Sequence, residues 1–226
     1  MRPESLAVVR AAAAHILVAD IDFPVLSEES QHHVFRSLRV NDGEIVTITD
    51  GRGRWRRCRA LGDSLDVDGE ILSEPGRANP ITIAVAIPKL DRPEWIVQKL
   101  TEIGVDQIVF IHAERSVVRW DADRASKHLG KLRRVAVEAI QQSRSVWLPD
   151  IVGPQPSEVV LRGAVAAEPG GRELAVDDFD VAIGPEGGWS RAELSLAIDL
   201  VSIGSTVLRV ETAALAAAVR LVAHAG

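Results

Sequence analysis

Two short stretches near the C-terminus carry residue types suited to binding a ligand through the main chain. The first is Gly184-Pro185-Glu186-Gly187-Gly188-Trp189-Ser190, entered from the apolar run Val181-Ala182-Ile183. Glycines permit positive φ and let a ligand approach the backbone with no Cβ in the way. Ser190 followed by Glu193 has the S-x-x-E form of a capping box, so a helix starts directly afterwards. Further on the pattern recurs: residues 205–210 read as a strand leading into Glu211-Thr212-Ala213-Ala214. Two successive strand ends thus each present a polar, small-residue loop at the start of a helix. In an open α/β sheet that carboxyl edge is where ligands bind. An ordinary capped turn needs one serine, worth about 1 kcal/mol, and not a Gly-Pro-Glu-Gly-Gly run.

A second candidate surface is basic. Between Arg36 and Arg59 the chain carries Arg36, Arg39, Arg52, Arg54, Arg56, Arg57 and Arg59 against Asp42, Glu44 and Asp50. This is a local positive excess in a chain whose net charge is −6. The guanidinium fork suits phosphate better than the point charge of lysine. Trp55 lies inside the cluster, but tyrosine is absent and aromatics total 4%. Contact with nucleic acid through phosphates and shape therefore fits better than a base-stacking platform.

Composition narrows the remaining classes. Hydrophobic content of 46% and charged content of 26% over 226 residues describe one large globular domain or two modest ones. Cys58 is the single cysteine, which excludes an internal disulfide and a cysteine-only zinc site; no metal is expected. No run approaches a membrane span, and Met1-Arg2-Pro3-Glu4 lacks the layout of a signal peptide, so a cytoplasmic location is expected. The dinucleotide, P-loop and nucleophile-elbow glycine signatures are all missing. His32 and His33 are adjacent and diverge on a helix, and His112 at a strand end reads as structural.

The elements that must position these residues split near residue 75. Residues 1–74 read as short strands: 45–49, a turn at Asp50-Gly51, a return strand over 55–60, and alternation over 65–72. One helix, capped by Ser27 and running from Glu28 to about Leu38, turns Val34, Leu38 and Phe35 inward. A small β-barrel with one helix results. Residues 73–80, rich in Pro and Gly, form the linker. From residue 81 strands and helices alternate: strand 81–87, helix 91–103 closed by Gly104, strand 105–111, helix 123–143, a weaker helix 157–162, strands 164–167 and 175–183, helix 190–200, strand 205–210 and helix 212–224. Such alternation predicts an α/β domain with a mostly parallel sheet. The last helix is small or apolar nearly all round, a pattern that calls for burial on more than one side.

These segments together resemble the RsmE-type ribosomal RNA uridine-N3 methyltransferases of the SPOUT superfamily. The pair Ile183-Gly184-Pro185-Glu186-Gly187-Gly188-Trp189-Ser190-x-x-Glu193 and Leu208-Arg209-Val210-Glu211-Thr212-Ala213 carries the closest likeness. His32-His33-x-x-Arg36-x-Leu38-Arg39, Gly43 and Asp50-Gly51 look like that family's PUA-like N-terminal domain. Gln98-Lys99-Leu100-Thr101-Glu102-Ile103-Gly104-Val105 and Glu114-Arg115-Ser116 look like the start of its catalytic domain. Two places depart. Gln141-Gln142-Ser143-Arg144 stands where the family tends to read Glu-Gln-Ser/Cys-Gly-Arg, and Ile203-Gly204-Ser205-Thr206 stands where it usually has Leu-Gly-Pro-Arg.

The resemblance implies a PUA-like RNA-binding β-barrel over residues 1–74 and a SPOUT α/β domain over residues 81–226. The latter would hold a trefoil knot that binds S-adenosyl-L-methionine and forms a homodimer, with the last helix at the interface. The expected substrate is small-subunit ribosomal RNA, in an assembled or assembling 30S subunit. Expected cofactor contacts are Ala167, Glu168 and Pro169; Ile183, Gly184, Pro185, Glu186, Gly187 and Gly188; Ile203 and Gly204; and Leu208, Arg209, Val210, Glu211, Thr212 and Ala213. Expected RNA contacts are Arg36, Arg39, Arg52, Arg54, Arg56, Arg57, Arg115 and Arg144.

The chemistry follows from the substrate. Uridine N3 becomes nucleophilic when its proton leaves, and the charge spreads onto neighbouring carbonyl oxygens. Arg209 is placed to stabilise that charge, and Glu211 or Glu186 to take the proton. Two other classes fit parts of the pattern. A nucleotide-phosphate enzyme would bind ATP or NAD in the same loops, and a non-catalytic RNA-binding dimer would have no affinity for S-adenosylhomocysteine.

Overall fold

Residues 3–224 are described by a computed structural model, and the chain divides at Gly76 and again inside a long helix after Ala136. One unit comprises residues 1–76 and 137–148, the other residues 77–136 and 149–226.

The first unit contains α1 (Pro3–Ala11), β1 (Ala14–Leu17), α2 (Glu28–Gln31), β2 (Ile45–Thr49), β3 (Arg54–Leu61), β4 (Ser64–Val67) and β5 (Leu72–Ser73). The β-branched run of β2 pairs antiparallel with β3. Their turn is held by Asp50, whose carboxylate accepts the N–H groups of Arg52 and Arg54. β1 lies parallel to β2, and β4 and β5 both pair with β3, so the sheet runs β1-β2-β3-β4 with β5 beside β3. Ile16, Val34, Val46, Ile48, Cys58 and Ala60 form its core.

Helix α2 starts at Ser27, whose hydroxyl accepts the Ser30 N–H at 3.2 Å. It continues as a π-helical turn over His32–Ser37, in which Leu38 N–H reaches back to the His33 carbonyl. The wider turn corrects one expectation. Val34 is buried and Phe35 packs on the core, but Leu38 is carried out to solvent.

Residues 137–148 belong to this unit because their polar groups complete its core. His15 Nε2 donates to the Ser145 carbonyl at 3.0 Å, which leaves Nδ1 to accept from the Thr47 hydroxyl at 2.9 Å. Leu17 N–H donates to Gln141 Oε1 at 3.2 Å. Burial pushes the His15 imidazole down to about 4; the Ser145 hydrogen bond opposes this and Arg144 reinforces it. The unfolded chain therefore takes up a proton near pH 6.5 that the folded chain refuses until about pH 4. Stability is expected to fall as pH drops through that window, by up to roughly 3 kcal/mol. Urea midpoints measured from pH 7 to 4.5 check this, and His15→Asn should flatten the dependence. An unchanged slope in the variant would contradict it.

The second unit contains β6 (Thr82–Ala86), α3 (Arg92–Ile103), β7 (Gln107–His112), α4 (Ala122–Ser143, whose last turns belong to the first unit), β8 (Asp150–Pro156), α5 (Ser157–Leu161), β9 (Val165–Glu173), β10 (Asp180–Ile183), α6 (Arg191–Leu194), β11 (Leu200–Ser202) and α7 (Val210–His224). Its six strands run β11-β9-β10-β6-β7-β8, and every neighbouring pair is parallel. Strands β6 and β10 are apolar on both faces because both are covered. Helices α3 and α7 pack together, α7 also against β6 and β10. Leu161 and the partly buried Leu194, from α5 and α6, join Ala84, Val109, Ile111, Ala166 and Ala182 in one core cluster.

Sequence order reverses between β6 and β10. The chain first builds outward from β6 through β7 and β8, then returns to add β9, β10 and β11 on the other side. A switch point of this kind leaves a crevice at the strand carboxyl ends. Two expected elements are corrected there. The helix after Ser190 stops at Leu194, and residues 200–202 form a strand. The expected strand over 205–210 is a loop, and α7 begins at Val210. Strands β1 and β8 had no expectation, and α1 is a second helix in the first unit, where a single helix was expected. His112 is structural as expected, since its Nε2 accepts the Trp120 N–H at 3.1 Å. No helix among the described residues is long and apolar enough to cross a membrane.

Candidate functional site

The ends of β9, β10 and β11 open onto a cavity of about 430 Å³, within the usual range for small-molecule sites. Three loops wall it. The first comes from β9, whose pairing with β10 ends at Ala167 and whose register against β11 jumps from Ala166 to Arg172. The intervening residues bow out of the ladder, bringing Ala167, Glu168 and Pro169 to the cavity.

The second loop follows β10. Gly188 takes φ +68 and its N–H returns to the Pro185 carbonyl, closing a turn. Ser190 then caps α6 through a full capping box with Glu193. Gly184 permits a close approach: a Cβ there would lie 2.9 Å from the indole of Trp189. That indole is buried and donates to the Ala167 carbonyl at 3.1 Å, tying the first two loops together.

Glu193 anchors the second loop from below. Its carboxylate accepts from Ser157 Oγ at 2.6 Å, from Glu114 N at 2.8 Å and from Ser190 N at 2.9 Å. Burial alone would raise this carboxyl's pKa, but those hydrogen bonds outweigh it and hold the group below its ordinary value.

The third loop, residues 203–209, leads into α7. Ile203, Gly204, Leu208, Arg209, Val210 and Ala213 border the cavity from this side. Most of the expected cofactor residues therefore converge, Ile183, Gly184, Pro185, Glu186 and Gly188 among them. Three lie off the cavity wall: Gly187, Glu211 and Thr212. A Cβ on Gly187 would meet Arg115 at 3.3 Å, and Arg115 Nη1 donates to the Gly187 carbonyl at 3.1 Å. Arg115 thus braces the loop. Trp189, Ser202, Thr206 and Val207 border the cavity without having been expected; Trp189 sat inside the quoted motif, but an indole there reads equally as core.

Sequence reasoning also missed Arg92, in the first turn of α3. Its Nη1 lies 3.3 Å from one Glu211 oxygen and 4.0 Å from a Glu186 oxygen. The three charged residues expected to do chemistry are thereby resolved into distinct settings. Arg209 and Glu186 face the cavity, and Glu211 is held by a guanidinium.

The arginine cluster is dispersed by strand geometry. Alternation along β3 sends Arg54 and Arg56 to the face of Cys58 and Ala60, and Arg57 and Arg59 to the other. Arg54 pairs with Asp22 at 3.4 Å, and Arg56 donates to the Gly69, Ile21 and Asp22 carbonyls. Arg57 and Arg59 share Asp68 at 3.2 and 2.9 Å. Arg36, Arg39 and Arg52 are exposed, and their side chains make no hydrogen bond or ion pair among the described residues. Arg144 takes φ +63 just after α4, the left-handed position that usually ends a helix on glycine. One of its guanidinium nitrogens is buried without a hydrogen-bond partner. No group of His, Cys, Asp or Glu among the described residues could hold a metal ion.

Comparison with known proteins agrees with this geometry. The family described as an RNA methyltransferase domain matches residues 75–222, and the RNA methyltransferase PUA domain matches residues 26–59. The ribosomal RNA small subunit methyltransferase E of Mycobacterium bovis is 31% identical over 218 residues, covering 84% of this chain and 82% of the relative. The Bacillus subtilis protein of the same name is 27% identical over 219 residues, covering 84% and 86%. Among solved structures, a probable rRNA-methyltransferase from Porphyromonas gingivalis superposes with a TM-score of 0.75 at 32% identity, covering 91% of this chain and 95% of that one. A Legionella pneumophila methyltransferase, solved in complex with the bound cofactor SAM, gives 0.74 at 27% identity and covers 88% and 90%. With a PUA-type first unit and a parallel sheet whose β9, β10 and β11 ends open onto this cavity, the chain belongs to the RNA methyltransferase family that includes the ribosomal RNA small subunit methyltransferases E.

Proposed function

We propose that the chain transfers a methyl group from S-adenosyl-L-methionine to N3 of one uridine in small-subunit ribosomal RNA, in an assembled or assembling 30S subunit in the cytoplasm. The observation that carries this reading is the cavity at the ends of β9, β10 and β11, in a chain whose relatives are named as small-subunit ribosomal RNA methyltransferases. The residues present suit the cofactor. Its walls carry Glu168 and Glu186 against one guanidinium, Arg209, an acidic balance that favours a cationic sulfonium.

The bound cofactor supplies an activated methyl on sulfur. The chain's own part is to orient the base, accept its proton and stabilise the charge left on the uracil carbonyls. Arg209 on the cavity wall suits the last role. Loss of a single such donor typically raises the barrier by about 3 kcal/mol. Calorimetric titration tests the cofactor assignment: S-adenosylmethionine and S-adenosylhomocysteine should bind, and ATP and NAD should not. Binding of ATP or NAD instead would favour a nucleotide-phosphate enzyme.

RNA contact is assigned to the unpaired guanidiniums. Replacing Arg36 and Arg52 by serine should flatten the salt dependence of RNA binding by about 0.7 to 0.9 log units per lost contact. Arg57→Ser, which removes a guanidinium already paired with Asp68, should change it less. An unchanged slope in the double variant would return these residues to a solvated face.

The proposal includes the trefoil-knotted C-terminal segment and a homodimer. Helix α7 buries Val210, Ala213, Ala214, Ala217, Ala218 and Leu221 within its own unit, while Val219 is 52% exposed and Leu215, Ala216 and Val222 are half-buried. A second copy would cover that remaining face. Ala217 is wholly buried, so an aspartate there would disturb folding; Val219→Asp is the suitable probe. Light scattering at micromolar concentration should give twice the 24.4 kDa chain mass, reverting towards one chain in the variant. A monomeric wild type would contradict the dimer.

A further inference from the structure

We propose that Glu186 takes the proton from the target base, and that Arg92 commits Glu211 to holding the site together. The inference deepens the methyltransferase reading and rests on it. Two carboxylates stand on the loop that precedes α6 and in the first turn of α7, and their surroundings differ. The Glu211 side chain is 13% exposed and does not border the cavity. Its two oxygens lie 3.3 and 3.5 Å from Arg92 Nη1. The Glu186 side chain is 42% exposed and does border the cavity, with its near oxygen 4.0 Å from the same nitrogen.

The distances decide the roles. A carboxylate paired with a guanidinium has part of its accepting capacity engaged and its orientation fixed. One that faces a cavity without such a bond can approach a proton to within the 2.6–3.2 Å or so that transfer requires. Arg92 lies in the first turn of α3 and Glu211 in the first turn of α7, two helices that pack together. Their pair therefore fastens the start of α7, and with it the third loop, to α3. Arg92 and Glu211 are positioning residues; Glu186 touches the reacting atoms.

In the proposed step the N3–H bond breaks and its proton passes to a Glu186 oxygen, directly or through one water. The electron pair left on N3 forms the bond to the methyl carbon, as the carbon–sulfur bond breaks and its electrons remain on sulfur. Methylated base and neutral thioether result, and Glu186 then loses its proton to solvent. No other reactant is needed.

The test compares Glu186→Gln, Glu211→Gln and Arg92→Lys in the full chain, by S-adenosylhomocysteine affinity, thermal midpoint, and kcat across pH. Glu186→Gln should lower kcat at pH 7 by at least about 100-fold, with cofactor affinity and thermal midpoint close to wild type. Its deficit should narrow as pH rises, because the uridine's own N3–H then ionises without an acceptor. Glu211→Gln should weaken cofactor binding and lower the midpoint, with a deficit that is the same at every pH. Arg92→Lys, which keeps the ion pair, should retain most of both. A pH-dependent deficit in Glu211→Gln, or a deficit in Glu186→Gln that does not narrow, would overturn the assignment. A wild-type chain that neither binds S-adenosylhomocysteine nor methylates would instead sink the underlying reading.

Discussion

Replacing Gly184 by alanine is expected to weaken S-adenosylhomocysteine binding by about 10- to 100-fold, or roughly 1 to 3 kcal/mol. The added Cβ would sit 2.9 Å from two atoms of the Trp189 indole. The indole cannot simply yield, because it is buried and its N–H is committed to the Ala167 carbonyl. Either the second loop moves away from β10 or the first loop moves with the indole, and both are cavity walls. Gly130→Ala in α4 is the control: nothing lies within 4 Å of its added Cβ, so cofactor affinity should hold and stability should rise by up to about 1 kcal/mol. Normal binding by the Gly184 variant would mean that the close approach has no bearing on the ligand.

Glu193→Ala is expected to destabilise the chain by about 3 kcal/mol and to abolish cofactor binding. The carboxylate is buried and accepts from three separate segments: the start of α5 through Ser157, the turn after β7 through Glu114, and the cap of α6 through Ser190. Removing it strands those donors away from water, each at about 1 kcal/mol or more. The pH dependence has a definite sign. The folded-state pKa is depressed, so this stabilisation is complete above the unfolded value of about 4.5 and is lost as pH falls through the folded value. Urea denaturation at pH 7 and at pH 4 should show the variant's deficit shrinking on acidification. A deficit below about 0.5 kcal/mol at pH 7 would contradict the anchoring role.

Much of the site was legible in the chain because its signals are local. A Gly-rich turn, a serine cap and a glutamate three residues later specify a loop and a helix start without reference to the rest of the fold, and Ser190 and Glu193 form that box. The helix's length was not legible. Ala192, Leu194, Leu196 and Ala197 continue a plausible helical pattern, yet the chain leaves the helix after Leu194 to let Leu200–Ser202 pair with β9. Tertiary pairing overrode propensity there. Residues 205–210 read as a strand from Val207, Leu208 and Val210, but no neighbour is available to pair with them, and they serve as cavity wall.

Long-range facts were the least visible. The amphipathic pattern of α4 marks which side is buried but not against which core, so the return of residues 137–148 to the first unit could not be read from it. Strand β8 was hidden by Gly153, Pro154 and Pro156, residues that punctuate strands elsewhere. The density of arginines along residues 52–59 suggested one basic face, whereas strand alternation divides it and Asp22 and Asp68 pair with Arg54, Arg57 and Arg59. Arg92 lies far in sequence from both glutamates it reaches, and a single arginine at a helix start carries no local signal.

The central claim is tested most directly by nucleoside mass spectrometry of small-subunit ribosomal RNA. Subunits from cells lacking this chain should be missing one 3-methyluridine, and incubation with the purified chain and S-adenosylmethionine should restore it. An unchanged 3-methyluridine content in those cells, or restoration of a different methylated nucleoside, would contradict the account.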